Sequence, residues 1–412
     1  MQFRYWKSLT LVIFCTFSPH TLSECSLTTF QNGAIASAEE VNCNFEVLQS
    51  GILATELELD TTNPSRIVWV AKEGGDYTSL AQAVGQLGNF FSSTNPDPVL
   101  IKIAPGVYQE APTEIELRGV FIEGSGQGAT ILEYTAGDPG ILMTNSRLEN
   151  GISNLTIRNT AGPAVGISAT ANTFYDKTES YFRLADVTLE ASSSNPVSAF
   201  TAAGPIWIEI RGSQISAQAT TAGKTVKGIS VENAEAFSMY DSEVWANGGF
   251  VTTGLYSKDT KLVSVSGSAA RVSRSLQFLG TYVANVAIAN GIQIEGPVIG
   301  AAAHTLQNIQ INAASANSGG LGRGIVAGNG ARIRVMGSEI STFSGPGSLS
   351  YGAVAYGVDP SRTNIGSRID IIGGGVSGDK QCTSGCRDVC YLGVVIGDGQ
   401  LTTAECTGLA AP

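Results

Sequence analysis

Nine positions along this chain repeat one local pattern, and they restrict its fold more than any other feature. Gly119, Asn154, Asp186, Gly212, Asp241, Gly267, Asn308, Gly337 and Gly373 each stand two residues after an apolar side chain and three before another. The upstream members are Leu117, Ile152, Leu184, Ile210, Met239, Val265, Leu306, Val335 and Ile371. The downstream members are Ile122, Ile157, Leu189, Ile215, Val244, Ala270, Ile311, Ile340 and Val376. Glycine, asparagine and aspartate tolerate positive φ, so one such residue bends a strand sharply without a long loop. Alternation before the bend turns every second side chain inward. The successive gaps are 35, 32, 26, 29, 26, 41, 29 and 36 residues. A coil of three short strands with loops of varying length needs about that much chain, and self-similarity at such a period marks a repeat architecture. The 41-residue gap leaves room for an extra coil near Val286–Ile294. Solenoids grow by adding coils, so 412 residues need not mean several domains. The 49 glycines and the low charged fraction of 14% suit tight turns and stacked strands.

The two ends of the chain differ from this body. Residues 1–23 have the form of a signal peptide. Arg4 and Lys7 precede a short apolar run from Leu9 to Phe17, too short to span a bilayer. No later segment is apolar enough for a membrane span. Removing residues 1–23 leaves 22 Lys+Arg against 35 Asp+Glu, a net charge of −13. Such a surface repels nucleic acid and anionic membranes, and repels acidic polysaccharide unless cations bridge the two. The expected destination is the cell surface, the medium or the periplasm.

In residues 24–64, Val41, Phe45, Leu48, Ile52, Thr55 and Leu59 form a heptad seam. It reads either as a helical cap on the solenoid or as a short coiled coil making a homotrimer through residues 41–59. The solenoid follows over 65–380. It opens with a strand at Arg66–Ala71, a short helix at Tyr77–Leu87 and a strand at Val99–Ile103. A cysteine-rich segment, 381–412, closes the chain. Six cysteines remain after residue 23: Cys25, Cys43, Cys382, Cys386, Cys390 and Cys406. An even count in an exported chain predicts disulfides, and the spacing suits no zinc site.

A family enters at residues 66–167. The segments VAKEGGDYTSLAQAV (70–84), IKIAPGVYQEAP (101–112), VFIEGSGQGATIL (120–132) and NLTIRNTAG (154–162) resemble the first coils of a pectin methylesterase. That resemblance implies an all-β, right-handed parallel β-helix of the pectin-lyase-like kind. The element Gly106-x-Tyr108-x-Glu110 builds those coils, so it speaks for fold more than for chemistry. The family works through two aspartates, oxyanion-holding glutamines and an arginine. Here the family's Gln-Ala-Val place reads Pro163-Ala164-Val165. Neither TLEASSSNPVSAF (188–200) nor AGPIWIEIRG (203–212) supplies the aspartates, and no Gly-Arg-Pro-Trp occurs. A nucleophile, an acid and oxyanion donors cannot all be lost with the mechanism kept.

Elimination narrows the remaining chemistry. The only histidine after residue 23 is His304, in an inward column, where it reads as a core residue. No phosphate loop occurs; Gly124–Gly128 reads as a turn. Carboxylates are the remaining catalytic candidates: Asp176 and Glu179 in a polar loop, and Asp241 and Glu243 on a regular coil. Each also has a plain reading, as a solvated loop or a turn residue. No cofactor is predicted, but calcium is possible, since polysaccharide lyases and hydrolases on β-helices use carboxylates, often with calcium. Trp207 and Arg211 should face outward on one coil, with Tyr240 and Trp245 on the next, and stacking would group them as a carbohydrate surface. Three functions follow. The first is an exported, non-catalytic β-helix that binds polysaccharide or builds an extracellular assembly. The second is a divergent lyase, hydrolase or esterase with a relocated carboxylate site. The third is a structural trimeric fibre subunit. A groove holding two carboxylates and an arginine would favour the second.

Overall fold

The structure is a computed structural model. It describes residues 66–88, 98–145, 149–169, 180–221, 223–267, 276–278, 288–296, 303–315, 320–344, 349–356, 358–359, 362–377, 379–382, 386–392, 395–396 and 405–407. All belong to one unit, Pro64–Pro412. The signal-like leader, the 24–64 seam, Cys25, Cys43, Asp176 and Glu179 lie outside the described residues.

The chain winds as a parallel β-solenoid with three faces. One coil shows the plan. Ile206–Arg211 lies on the first face, Gln214–Ala219 on the second and Thr225–Glu232 on the third. The next coil repeats it with Ala236–Tyr240, Glu243–Asn247 and Val251–Lys258. Each strand pairs in parallel with its equivalent one coil on, matching Ile210 to Met239, Ile215 to Val244 and Ile229 to Leu255. The third face alone is a ten-stranded sheet. Inward residues of all three faces meet in one apolar core. Each large aliphatic side chain taken from water there contributes about 1.5–3 kcal/mol.

One positive-φ residue turns the chain from the first face to the second. Asn154, Asp186, Gly212, Asp241, Asn308, Gly337 and Gly373 hold positive φ there, as expected. Gly267 does not adopt it. Gly119 does, with φ of 77°, but at the other end of the first-face strand. The register matches Ile122, not Leu117, to Ile152. Composition marks where φ is positive but not which end of a strand it serves. Among the described residues the 41-residue gap holds one coil and no additional one. Leu276–Phe278 lies on the second face and Ile288–Glu295 on the third, each paired directly with the coils before or after it.

Serines following the bend satisfy its buried backbone. Val187 N donates to Ser213 Oγ at 3.2 Å, and Ser213 Oγ donates to Arg211 O at 2.8 Å. One coil on, Ser213 N donates to Ser242 Oγ at 3.1 Å and Ser242 Oγ to Tyr240 O at 2.7 Å. Ser338 does the same for Ile309 N and Met336 O. A second positive-φ column, unforeseen from the sequence, closes each coil at Gly204, Asn233, Asp259, Gly296 and Asn329.

The first coils explain the Gly106-x-Tyr108-x-Glu110 element. The helix, Leu80–Leu87, starts later than Tyr77 because Ser79 is its N-cap, accepting from Gln82 N. Buried Glu110 caps the same end, accepting from Leu80 N at 2.8 Å and Ala81 N at 3.2 Å. Burial raises the Glu110 pKa and those two amides partly offset it. Tyr108 donates its hydroxyl to Ala104 O. His304 is a core residue, fully buried, with Nδ1 accepting from Val263 N at 3.1 Å. At the far end Cys386–Leu392 pairs in parallel with Arg362–Val376, and Cys390 lies directly across from Cys406 on an antiparallel neighbour.

Candidate functional site

The outward residues singled out in the sequence do face outward, but they divide between two faces. Arg211 and Tyr240 are register partners on the first face. Trp207, 39% exposed, sits at the other end of that face, beside Tyr181 and Ala236. Glu243 and Trp245 lie beyond the bend, on the second face. The bend at Asp241 turns the chain to a new face, so Trp207 and Trp245 are not brought together.

Asp241 lines a first-face depression of about 500 Å³ with Arg183, Asp186, Glu209 and Arg211. Arg183 Nε pairs with Glu209 Oε1 at 3.2 Å, and the Tyr181 hydroxyl donates to Glu209 Oε2 at 2.9 Å. Among the described residues Arg211 makes no ion pair. Trp245 and Glu243 instead border a second-face groove of about 350 Å³ with Arg158, Glu190, Gln214, Ser216 and Gln218.

The third face gathers four perturbed groups, Lys227, Tyr256, Arg323 and Tyr356. Its strands present three outward columns. Lys227, Thr253, Asn290, Arg323 and Tyr351 align in one. Ser230, Tyr256 and Gln293 align in the next, and Glu232, Lys258, Glu295, Gly328 and Tyr356 in the third. Asn290 Nδ2 donates to Gln293 Oε1 at 2.9 Å, and Gln293 Nε2 to Glu295 Oε1 at 2.6 Å. The Tyr356 hydroxyl donates to the same Glu295 oxygen at 2.6 Å. Gly328 makes this reach feasible, because a Cβ there would stand 2.7 Å from the Tyr356 ring. Lys227 Nζ sits 3.5 Å from the Tyr256 ring centroid, a cation–π contact.

Burial shifts this network. It pulls the Lys227 ammonium below its usual range, with Glu232 and Glu295 pulling back. It pushes the Tyr256 phenol up to about 12, with Glu295 and Glu232 adding to it. The Tyr356 phenol rises for the same reason and through its bond to Glu295. Both phenols are therefore hydrogen-bond donors at neutral pH. Burial also lowers the Arg323 guanidinium, against the opposing effect of Tyr356 and Tyr351. Of the six buried side-chain atoms without a hydrogen-bond partner among the described residues, two belong to register neighbours in one outward column of this face, Asn290 Oδ1 and Arg323 Nε. Buried polar groups are rarely left unpaired, so such a pair calls for an explanation.

None of these third-face residues was singled out in the sequence, although a signal exists. Lys227, Thr253, Asn290, Arg323 and Tyr351 each precede a glycine, at 228, 254, 291, 324 and 352. Those glycines form an inward column where the strand bends and brings two successive residues inside.

The sequence matches no protein-family model, and no curated protein matches it. Among solved structures, ORF18 of Geobacillus virus E2 aligns with 92% of this chain and 68% of its own, at 12% identity and a TM-score of 0.30. The A-module of a mannuronan C-5 epimerase from Azotobacter vinelandii aligns with 78% of this chain and 91% of its own, at 15% identity and a TM-score of 0.20. Neither superposition is close enough to bear on function.

Proposed function

We propose that this protein is an exported β-helix that binds polysaccharide along its third face. The pair of unpaired atoms carries the reading. Asn290 Oδ1 and Arg323 Nε lie just beneath the surface without partners, and the half-buried Arg323 offers a guanidinium edge that a sugar hydroxyl can accept from. The tyrosines at 256, 351 and 356 offer ring faces and phenolic donors around it. Lys227 and Arg323 add positive charge on a chain whose formal net charge is −11. The leader-like residues 1–23 support export. The likeness of residues 66–167 to pectin methylesterases supports a polysaccharide surface, and the missing motifs count against ester hydrolysis.

Affinity electrophoresis tests this with the full chain on polygalacturonate, alginate, xylan and β-glucan, with and without calcium. Retardation by at least one polymer is expected. A hydrogen bond to a charged group is worth about 1.5–3 kcal/mol, so Arg323→Ala should weaken it roughly tenfold to a hundredfold. Wild-type affinity in Arg323→Ala would move the site elsewhere. Silence on every polymer would leave the assembly reading, measured by the mass of the protein in solution.

One observation favours a hydrolase or lyase as the second reading. The first-face depression holds Asp186, Glu209 and Asp241 with two arginines. Asp186 and Asp241 stand two coils apart, roughly 10 Å by strand spacing. Inverting glycosidases separate their two carboxyls by about 6.5–9.5 Å. Reducing ends released by the wild type but not by Asp241→Asn would replace the binder reading.

An exported chain meets an oxidising compartment, and the register favours a Cys390–Cys406 disulfide. Peptide mapping without reductant should recover the two cysteines in one linked peptide. Recovery in separate peptides would dismiss this pairing.

A further inference from the structure

We infer that the second-face groove beside Trp245 is a separate binding site for a neutral saccharide, independent of the third face. Five outward residues stack in one column there: Glu133, Arg158, Glu190, Ser216 and Trp245. The hollow exists because Ser216 is small and stands between Glu190 and the indole. Its volume of about 350 Å³ is within the range of small-ligand sites, about 300–1,000 Å³. Trp245 is 37% exposed, an apolar plane beside polar groups. Gln214 and Gln218 line the groove with both donors and acceptors, and Glu190 and Glu243 with acceptors alone. That mixture suits hydroxyls under a stacked ring.

Charge decides the ligand class. Among the described residues Arg158 is the only cation lining this groove, and it is already committed to protein carboxylates. It pairs with Glu190 at 2.5 Å and Glu133 at 2.7 Å. Those contacts, the Glu190 hydrogen bond foremost, raise its pKa. An incoming anion would compete with both partners and face Glu243 as well. A neutral sugar meets no such opposition. The third face, with Lys227 and Arg323, has the opposite bias, so the two sites would not share a ligand.

The test is titration of the full chain with cello-, xylo-, manno- and laminari-hexaose, using oligogalacturonate as the acidic control. Tryptophan emission and calorimetry are read together. At least one neutral hexaose should bind and shift the emission. Trp245→Ala should weaken that binding at least tenfold, Trp245→Phe should restore part of it, and Ser216→Leu should weaken it by filling the hollow. Trp207→Ala and Arg323→Ala should leave it unchanged. The inference is overturned if no neutral hexaose binds, if binding survives both Trp245→Ala and Ser216→Leu, or if oligogalacturonate binds here in preference. Loss in Arg323→Ala alone would point to the third face and overturn it too.

Discussion

Gly324→Ala is expected to cost roughly 3 kcal/mol or more of stability, near the top of the range for overpacking a core. A Cβ at Gly324 would stand 2.3 Å from Ile340 Cγ2 and 2.6 Å from Gly352 O. The first obstacle is a β-branched methyl held in the core, and the second is the backbone of the next coil. Neither can withdraw without moving a strand. Gly291 meets the same pair of obstacles, with Ile311 Cγ2 at 2.3 Å and Gly324 O at 2.4 Å. Urea denaturation reads the effect as a lower midpoint. Gly85→Ala is the control. Nothing lies within 4 Å of its Cβ in the helix Leu80–Leu87, so alanine should add about 0.5–1 kcal/mol. Removing the methyl with Ile340→Ala should recover part of the loss, because contacting sites are not additive. A Gly324→Ala protein within 1 kcal/mol of wild type would mean that the faces are not packed this closely.

Acid should weaken the fold through His304. Burial lowers its pKa from 6.5 to about 4. The sign follows from linkage. A folded-state pKa below the unfolded one means that the unfolded chain binds the proton more readily. The contribution is complete above pH 6.5 and is lost as the pH falls toward 4. A shift of that size corresponds to about 3 kcal/mol. Glu110 works the other way, since its raised pKa favours the protonated folded state. The readout is therefore the difference between wild type and His304→Leu across that window. Above pH 6.5 the variant should be less stable by roughly 1–3 kcal/mol, because Val263 N–H loses its acceptor. Its additional acid-dependent loss should be about 3 kcal/mol smaller than in wild type. Parallel pH profiles would show that His304 does not titrate as its burial requires.

Legibility in the sequence followed the visibility of side chains. The bend between the first and second faces was readable because Asn154, Asp186 and Asp241 are residue types that tolerate positive φ beside an apolar alternation. The inward residues around it were readable for the same reason. The third face was not. At Gly228–Ile229 and its equivalents two successive residues face inward, which breaks the period of two, and a glycine leaves no side chain to count. The outward Lys227 and Arg323 therefore carry no periodic signal that sets them apart from other surface charges. Trp207 and Trp245 were assigned the right orientation but the wrong neighbourhood. Whether they meet depends on the angle at Asp241, which alternation does not encode.

The serines at the bend also give the solenoid a chemical direction along its axis. Ser213 accepts from the coil before it, donates within its own coil and passes its amide to Ser242 in the coil after it. A coil removed from the N-terminal end leaves its successor with a spare lone pair on a hydroxyl. A coil removed from the C-terminal end leaves its predecessor with an orphaned amide at a buried bend, the more expensive loss. The two ends of the stack are thus chemically unequal at the bend, one presenting hydroxyl acceptors and the other amide donors.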